Sequence, residues 1–401
     1  YVTFLKIFLK KKKLKNKFLY LFIEQVKFNN LNINLTEYYF QNLFSKIPNK
    51  TVTIGFELKS KKSNEITLFE LANTFDIFKS YSQTLITLFK YRKIKKKIRC
   101  LNLKEFKFWV NFLRIKEQDT NFKSVFLSKL LITILEKYPE NKIKIIYPYE
   151  EKPFERALCI LSKKYKNFYV FAYYGNLQDH HSFFLRKLSI LNIPRSSSFL
   201  CAGNYQKEQI IKFNSNKNIY IIGSDKSKIE LKKNLQYDFL VFISHKIELN
   251  SFKKWVEEQY FKSKNIKFLI RLYSQLTENE NNPDYLYLKN LKGFDFSDQS
   301  LKNDIAKSKF SIFSRTSAGP QAVNSELLSI WADFSLVGSN ALNGKIEYFF
   351  PSFNSNQLNN NIEKFISLNE NEIQNYLFKQ KIISKKVFSE INYDLVDKIL
   401  N

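Results

Sequence analysis

Large apolar residues recur at three- and four-residue intervals from Asn121 to Lys137 and stop ahead of Pro139, a spacing that predicts a helix. The next apolar run, Lys142–Tyr147, is too short for a helix and reads as a buried strand. The alternation then repeats as helix Pro153–Lys164, strand Phe168–Tyr173, strand Ser198–Cys201, helix Tyr205–Phe213 and strand Asn218–Ile222. A charged bridge, Asp225–Leu235, separates this series from a second one. The second reads strand Phe239–Ile243, helix Ser251–Phe261, strand Ile266–Leu272, helix Leu301–Ser308, strand Phe310–Phe313, helix Pro320–Ser329 and strand Asp333–Val337. Gln357–Asn401 is mostly helical in pattern. Toward the N-terminus the signal weakens to a strand at Thr51–Leu58 and helical stretches at Ile66–Tyr91 and Leu101–Leu113.

Strands alternating with helices through both halves imply two parallel sheets covered by helices. At 401 residues the chain exceeds one ordinary core. The expected organisation is an N-terminal domain over 1–230, a C-terminal domain over 231–350, and helices over 351–401 packing across both. Ligands of open parallel sheets bind beyond the carboxyl ends of the strands, so a cleft between the two domains is expected. The chain has only eight glycines, and Gly175, Gly223, Gly319 and Gly338 sit near the ends of apolar runs. Glycine alone accepts positive φ and close backbone approach without steric cost, so these positions read as turns at the loop edges of the sheets.

A hydrophobic content of 44% excludes global disorder. The formal net charge of +28 calls for an anionic partner: nucleic acid, lipid headgroups or a phosphorylated substrate. No zinc-finger, RNA-recognition or helix-turn-helix signature is present, so no specific nucleic-acid partner is expected. Cys100, Cys159 and Cys201 are far apart, as in a reducing compartment, and with His180, His181 and His245 they give no zinc-ligand spacing. No metal is expected. No run is long enough to cross a bilayer and no signal peptide is evident, which favours a cytoplasmic protein. Tyr1–Phe28 is basic and aromatic, with Lys10–Lys13 between Phe-Leu pairs. It reads either as a segment lying on an anionic membrane face or as an ordinary first strand or helix. The chain begins at Tyr1 and contains no methionine, so its start is left open. There is no Walker loop, no G-x-S-x-G elbow, no G-x-G-x-x-G and no D-x-D metal pair.

Tyr149-Glu150-Glu151-Lys152-Pro153-Phe154-Glu155-Arg156-Ala157-Leu158 resembles a strand-end segment of bacterial surface-carbohydrate glycosyltransferases. Phe171–His180 is similar to their next strand and loop, and Pro194–Gly203 with Asn218–Ser224 to the stretch that closes the N-terminal domain in GT-B enzymes. In the second half, Phe310–Gly319 resembles the GT-B element in which a Ser/Thr-rich loop opens a helix, with Gln321 where an acidic residue is usual. Phe268–Ser274 resembles a strand ending in a basic residue, with Tyr273-Ser274 in place of His-Pro. The resemblance spans about Asn141 to Gly338, and kinship is to Kdo and sialic-acid transferase-like families. It implies the GT-B fold, two facing Rossmann-like α/β domains with parallel sheets and a C-terminal helical tail. It also implies a metal-independent glycosyltransferase that moves a sugar from a nucleotide-activated donor, attractive as a CMP-linked acidic sugar, onto a capsule or lipooligosaccharide acceptor. No cofactor beyond the donor is implied. Such an enzyme would rest peripherally on the anionic inner membrane, where a lipid-linked glycan acceptor resides. Two alternatives stay open: a polyol-phosphate transferase of the same fold, and a decayed scaffold that binds glycan or partner enzymes.

Within that frame, Ser314, Thr316 and Ser317 offer hydroxyls and free N–H groups at a helix start, an anion site by geometry and dipole. Arg271 and Arg315 are placed to give charge-assisted contacts to a donor phosphate. Ser244 and His245 follow the neighbouring strand and join the donor side. A transferred sugar needs a carboxylate to deprotonate the acceptor or to attack the anomeric carbon, and Glu150 is first choice, with Glu155 one turn into the next helix. His180 is a candidate proton carrier, with Gln178 and His181 in the same loop to hold the sugar.

Overall fold

The computed structural model describes residues 18–23, 51–54, 72–99, 121–149, 153–175, 196–213, 218–227, 232–259, 265–273, 282–334, 342 and 346–400. Its strands are β1 (Phe18–Ile23), β2 (Thr51–Ile54), β3 (Lys142–Pro148), β4 (Phe168–Tyr174), β5 (Ser198–Cys201), β6 (Asn218–Ile221), β7 (Tyr237–Ile243), β8 (Phe268–Leu272), β9 (Phe294–Phe296), β10 (Ser308–Phe313) and β11 (Leu328–Trp331). The helices are α1 (Thr74–Arg99), α2 (Asn121–Lys137), α3 (Pro153–Lys164), α4 (Asn204–Phe213), α5 (Lys246–Gln259), α6 (Pro283–Lys289), α7 (Leu301–Lys307) and α8 (Ala318–Asn324), followed by α9 (Ser355–Ser367), α10 (Glu370–Val387) and α11 (Tyr393–Leu400). Every strand pair is parallel.

The first lobe carries a sheet of order β2-β1-β3-β4-β5-β6, the second a sheet of order β11-β10-β7-β8-β9. Period-2 alternation divides the first sheet cleanly. Ile143, Ile145, Tyr147, Val170, Ala172, Tyr174, Phe199 and Cys201 face a core shared with α1, α2 and α3. Ile146, Phe171, Tyr173 and Leu200 face the other way, into a core continuous with the second lobe and the C-terminal helices. In the second sheet, register aligns Phe310, Phe239, Phe268 and Phe294 as a row across four strands. The row stacks side by side, Phe268 on Phe294 at 4.9 Å and Phe239 on Phe268 at 5.7 Å between ring centroids. Cross-strand aromatic pairs of this kind stabilise a sheet by about 0.5–1 kcal/mol each, and here they lock the order of the second lobe.

The C-terminal helices belong to both lobes. α10 lies against α8 and β11, where Gln380 brackets Ser329: Ser329 N–H donates to Gln380 Oε1 at 2.9 Å and Gln380 Nε2 donates to the Ser329 carbonyl at 2.7 Å. The chain then turns onto the first lobe, where Ser389 N–H donates to the Ala202 carbonyl, Ser224 N–H to the Ser389 carbonyl and Asn392 N–H to the Ile222 carbonyl. Gly203 and Gly223 permit this seat, because a Cβ at either would collide with tail carbonyls of Lys386 and Glu390, and Gly223 also has φ of +84°. Lys144 closes the far end, its Nζ donating to the Ile399 carbonyl at 3.2 Å in the last turn of α11.

The structure corrects several sequence expectations. The helix read as Pro320–Ser329 ends at Asn324 and is followed by a strand at Leu328–Trp331; of the strand read at Asp333–Val337, Asp333 and Phe334 are not in a strand and residues 335–337 lie outside the described residues. The break is made by Glu326 at φ +67°, a left-handed turn without glycine, so the apolar run appeared to continue the helix. α6 and β9 were not anticipated, because residues 283–296 mix aromatic and charged positions with neither period. The helix expected to begin at Ser251 starts at Lys246. Phe18–Ile23, within the segment read as either interfacial or ordinary, is an interior strand paired on both sides, to β2 and to β3. The expected helix Leu101–Leu113 lies outside the described residues.

Candidate functional site

The order of the second sheet reverses beside β7: one neighbour, β8, follows it in sequence, and the other, β10, is reached only after β9. Such a topological switch point opens a crevice past the carboxyl ends of the two strands, because the connections leave toward opposite faces. The residues emerging there are Ser244-His245 after β7 and Ser314-Arg315-Thr316-Ser317 after β10. Extending the β10–β7 register beyond Ile312↔Val241 sets Ser314 beside Ile243, one residue before Ser244. The fold therefore gathers six of the residues singled out from sequence at one sheet edge.

The polar accounting at this edge is incomplete. Ser244 Oγ and Ser314 Oγ are enclosed and have no hydrogen-bond partner among the described residues, and Ser314 is only 3% exposed. Buried hydroxyls are nearly always satisfied, and an orphan costs about 1–3 kcal/mol. The Ser314 carbonyl, by contrast, is held by Trp331 Nε1 at 3.0 Å, which pins the loop backbone while leaving the hydroxyl unpaired. Arg315, Thr316 and Ser317 are half-buried, and His245 is exposed.

A residue that the sequence reading passed over organises the other side of the crevice. Glu248 is fully buried in the first turn of α5, and its Oε2 accepts the backbone N–H groups of Ser244 at 2.6 Å and His245 at 3.1 Å. Its Oε1 has no partner among the described residues. The signal was a glutamate three residues after His245, the spacing of a capping box. This carboxylate occupies the anion position that the dipole of α5 would otherwise offer.

The helix-start anion site expected after β10 has a different form. α8 is only seven residues long, Ser317 makes no side-chain cap, and Thr316 Oγ1 accepts the Ala318 N–H at 3.2 Å. Hydroxyls and the Arg315 cation, rather than a long helix dipole, are what this loop presents. Gly319 allows the turn, since a Cβ there would run into the Phe313 ring.

Arg271, at the end of β8, is turned toward α7. Its Nη1 pairs with Asp304 Oδ2 and donates to the Gln299 carbonyl at 2.7 Å, and Asp304 Oδ1 accepts from Ser297 Oγ at 2.6 Å. Asp304 is 1% exposed, so Arg271 serves as its counter-ion.

On the first lobe, Glu155 stands in the opening turn of α3 and is 4% exposed. Its charge adds to the effect of burial and of Cys159 in raising the Tyr147 hydroxyl well above its ordinary value. Glu150, Gln178, His180 and His181 lie outside the described residues. Tyr149, immediately before Glu150, is buried edge-on against Tyr174 at 5.6 Å and Phe199 at 5.3 Å, so the strand end that leads to Glu150 is firmly seated. Among the described residues no group of three or more metal-ligating side chains comes together.

No family model and no curated relative matches the sequence. Solved structures do. The N-terminal domain of trehalose-6-phosphate phosphatase from Candida albicans superposes with a TM-score of 0.54 at 13% identity, covering 98% of this chain and 98% of that one. An α,α-trehalose-phosphate synthase (UDP-forming) from Burkholderia vietnamiensis gives a TM-score of 0.51 at 10% identity, covering 95% and 98%. Against a chain of a GtfA/B complex the TM-score is 0.45 at 10% identity, and this chain spans 60% of that chain's length. Similarity over nearly the whole of the first two chains, with two parallel-sheet lobes and a helical tail, places this protein in the GT-B fold.

Proposed function

We propose that this chain is a glycosyltransferase that moves a sugar from a nucleotide-activated donor, with the donor's phosphoryl end held at the β7–β10 switch point. The observation that carries the reading is the pair of unpaired hydroxyls, Ser244 Oγ and Ser314 Oγ, at the sheet edge where this topology binds ligands. Hydroxyl donors and Arg315 suit a phosphoryl group, since charge-assisted bonds to its oxygens strengthen as the leaving nucleotide gains charge. His245 and Thr316 flank them, and Ser317 completes the loop. Glu248, with one oxygen uncommitted, is suited to accept a hydroxyl of the donor's ribose or sugar. From the first lobe, Glu150 would deprotonate the acceptor or attack the anomeric carbon, with Glu155 second and His180 as proton carrier, while Gln178 and His181 hold the sugar. The acceptor in this reading is a bacterial surface glycan on a lipid carrier, and the donor nucleotide is UDP, as in the synthase named above, or CMP, as the motif resemblance suggests.

The test is calorimetry and donor hydrolysis with UDP-sugars, CMP-sugars and CDP-glycerol, run beside Ser314→Ala and Glu150→Gln. One nucleotide class should bind, and Ser314→Ala should weaken it about tenfold without lowering stability, because the hydroxyl it removes bonds nothing in the folded chain. Binding of none of the three would end the proposal. Turnover of CDP-glycerol alone would move the reaction to polyol-phosphate transfer.

A further inference from the structure

α1 buries hydroxyls and exposes large apolar side chains. Toward α2 it turns Ile77, Ser80 and Thr84, all buried, and the two hydroxyls bond back to the carbonyls of Asp76 and Ser80 at 2.7 Å each. Away from the lobe it presents Phe75, Phe78, Leu85, Ile86 and Phe89, which are 71%, 59%, 36%, 54% and 60% exposed. At 100° per residue these five fall within about one third of the helix circumference, so they form a stripe rather than scattered positions. Ser82 alone interrupts the stripe, its hydroxyl bonded back to the Phe78 carbonyl at 3.0 Å, and exposed apolar side chains gathered on one face of a helix mark an interaction surface.

The helix itself names the occupant. Beyond Phe89 it continues through Lys90, Arg92, Lys93, Lys95, Lys96, Lys97 and Arg99, seven basic residues in the last ten positions. Helical register sets positions 93 and 96 in line with the stripe. A face with aromatic and aliphatic side chains at one end and a dense cationic run at the other matches the boundary of an anionic bilayer, where acyl chains take the rings and headgroups meet the lysines. A nucleic acid would use the charge but leave five large apolar side chains unexplained.

We infer that α1 is a membrane-docking helix that seats the first lobe on an anionic lipid surface. This gives the acceptor of the proposed reaction a place to be met, and in that respect it rests on the reading above. The experiment is co-sedimentation of the full chain with vesicles of phosphatidylcholine alone or mixed with phosphatidylglycerol. The parent should bind the mixed vesicles and not the neutral ones, and Phe78→Ser/Phe89→Ser should weaken binding by roughly tenfold or more. Equal binding by the variant, or a parent that ignores the mixed vesicles and instead self-associates or binds an oligonucleotide, would overturn it. Should the double variant fail to fold, Phe78→Trp supplies a second readout. Its emission should shift to the blue and be quenched by brominated lipid, and no quenching would overturn the inference equally. Calorimetry with the nucleotide that the parent binds should be unchanged in the Ser variant, which separates failure of this surface from failure of the donor site.

Discussion

Asp304 and Arg271 show how a residue's chemistry can be visible in a sequence while its assignment is not. A basic residue at the end of β8 is legible from the apolar run that precedes it. That it faces α7 and neutralises a carboxylate 1% exposed is a matter of tertiary neighbours. Removing the cation would leave a buried charge held by one hydroxyl, so Arg271→Ala should cost about 3–5 kcal/mol in urea unfolding. A variant as stable as the parent would return Arg271 to the candidates for phosphate contact. The loop serines are the converse case: Ser244 and Ser314 were recognisable as strand-end hydroxyls, and the structure adds that nothing among the described residues satisfies them. Glu248 went unread because its role depends on two backbone N–H groups that only the folded turn aims at it.

Elements were legible where local rules acted alone. α2 and α3 begin and end as the sequence predicts, since periodic apolar spacing, Pro153 at the first helical position and Pro139 beyond the last leave no competing choice. β11 escaped the sequence reading because its signal is non-local. It is an edge strand, and its open side is closed by the Gln380 side chain from α10 together with the backbone of Ser352, whose N–H donates to the Trp331 carbonyl at 2.9 Å. Gln380 reproduces strand pairing with its amide and also donates to the Tyr348 carbonyl at 3.0 Å. Gln380→Leu keeps the volume and strips all three bonds from a fully buried site, so thermal unfolding should show a loss of about 2–4 kcal/mol. Unchanged stability would mean that β11 does not need this closure.

At the scale of the whole molecule, the junction of the two lobes carries a half-buried cation. Lys226, in the turn after β6, sits 5.6 Å from the centroid of the Phe388 ring, and burial brings its ammonium down from 10.5 to about 8. Below about pH 8 Lys226 is charged in the folded and unfolded chain, and the cost of burying it stands in full. Between about 8 and 10.5 the folded state binds fewer protons than the unfolded one, so stability rises with pH across that window. Lys226→Met should therefore be more stable than the parent at pH 7, by about 1–3 kcal/mol, and should flatten part of the rise. A parent that loses stability between pH 8 and 10 would contradict the desolvation of Lys226.

The polypeptide passes from one lobe to the other after β6 and returns through residues 388–392, whose backbone bonds to Ala202, Ile222 and Ser224. The chain's own end therefore staples the two lobes beside their shared apolar core, so the junction is fastened by backbone as well as by side chains.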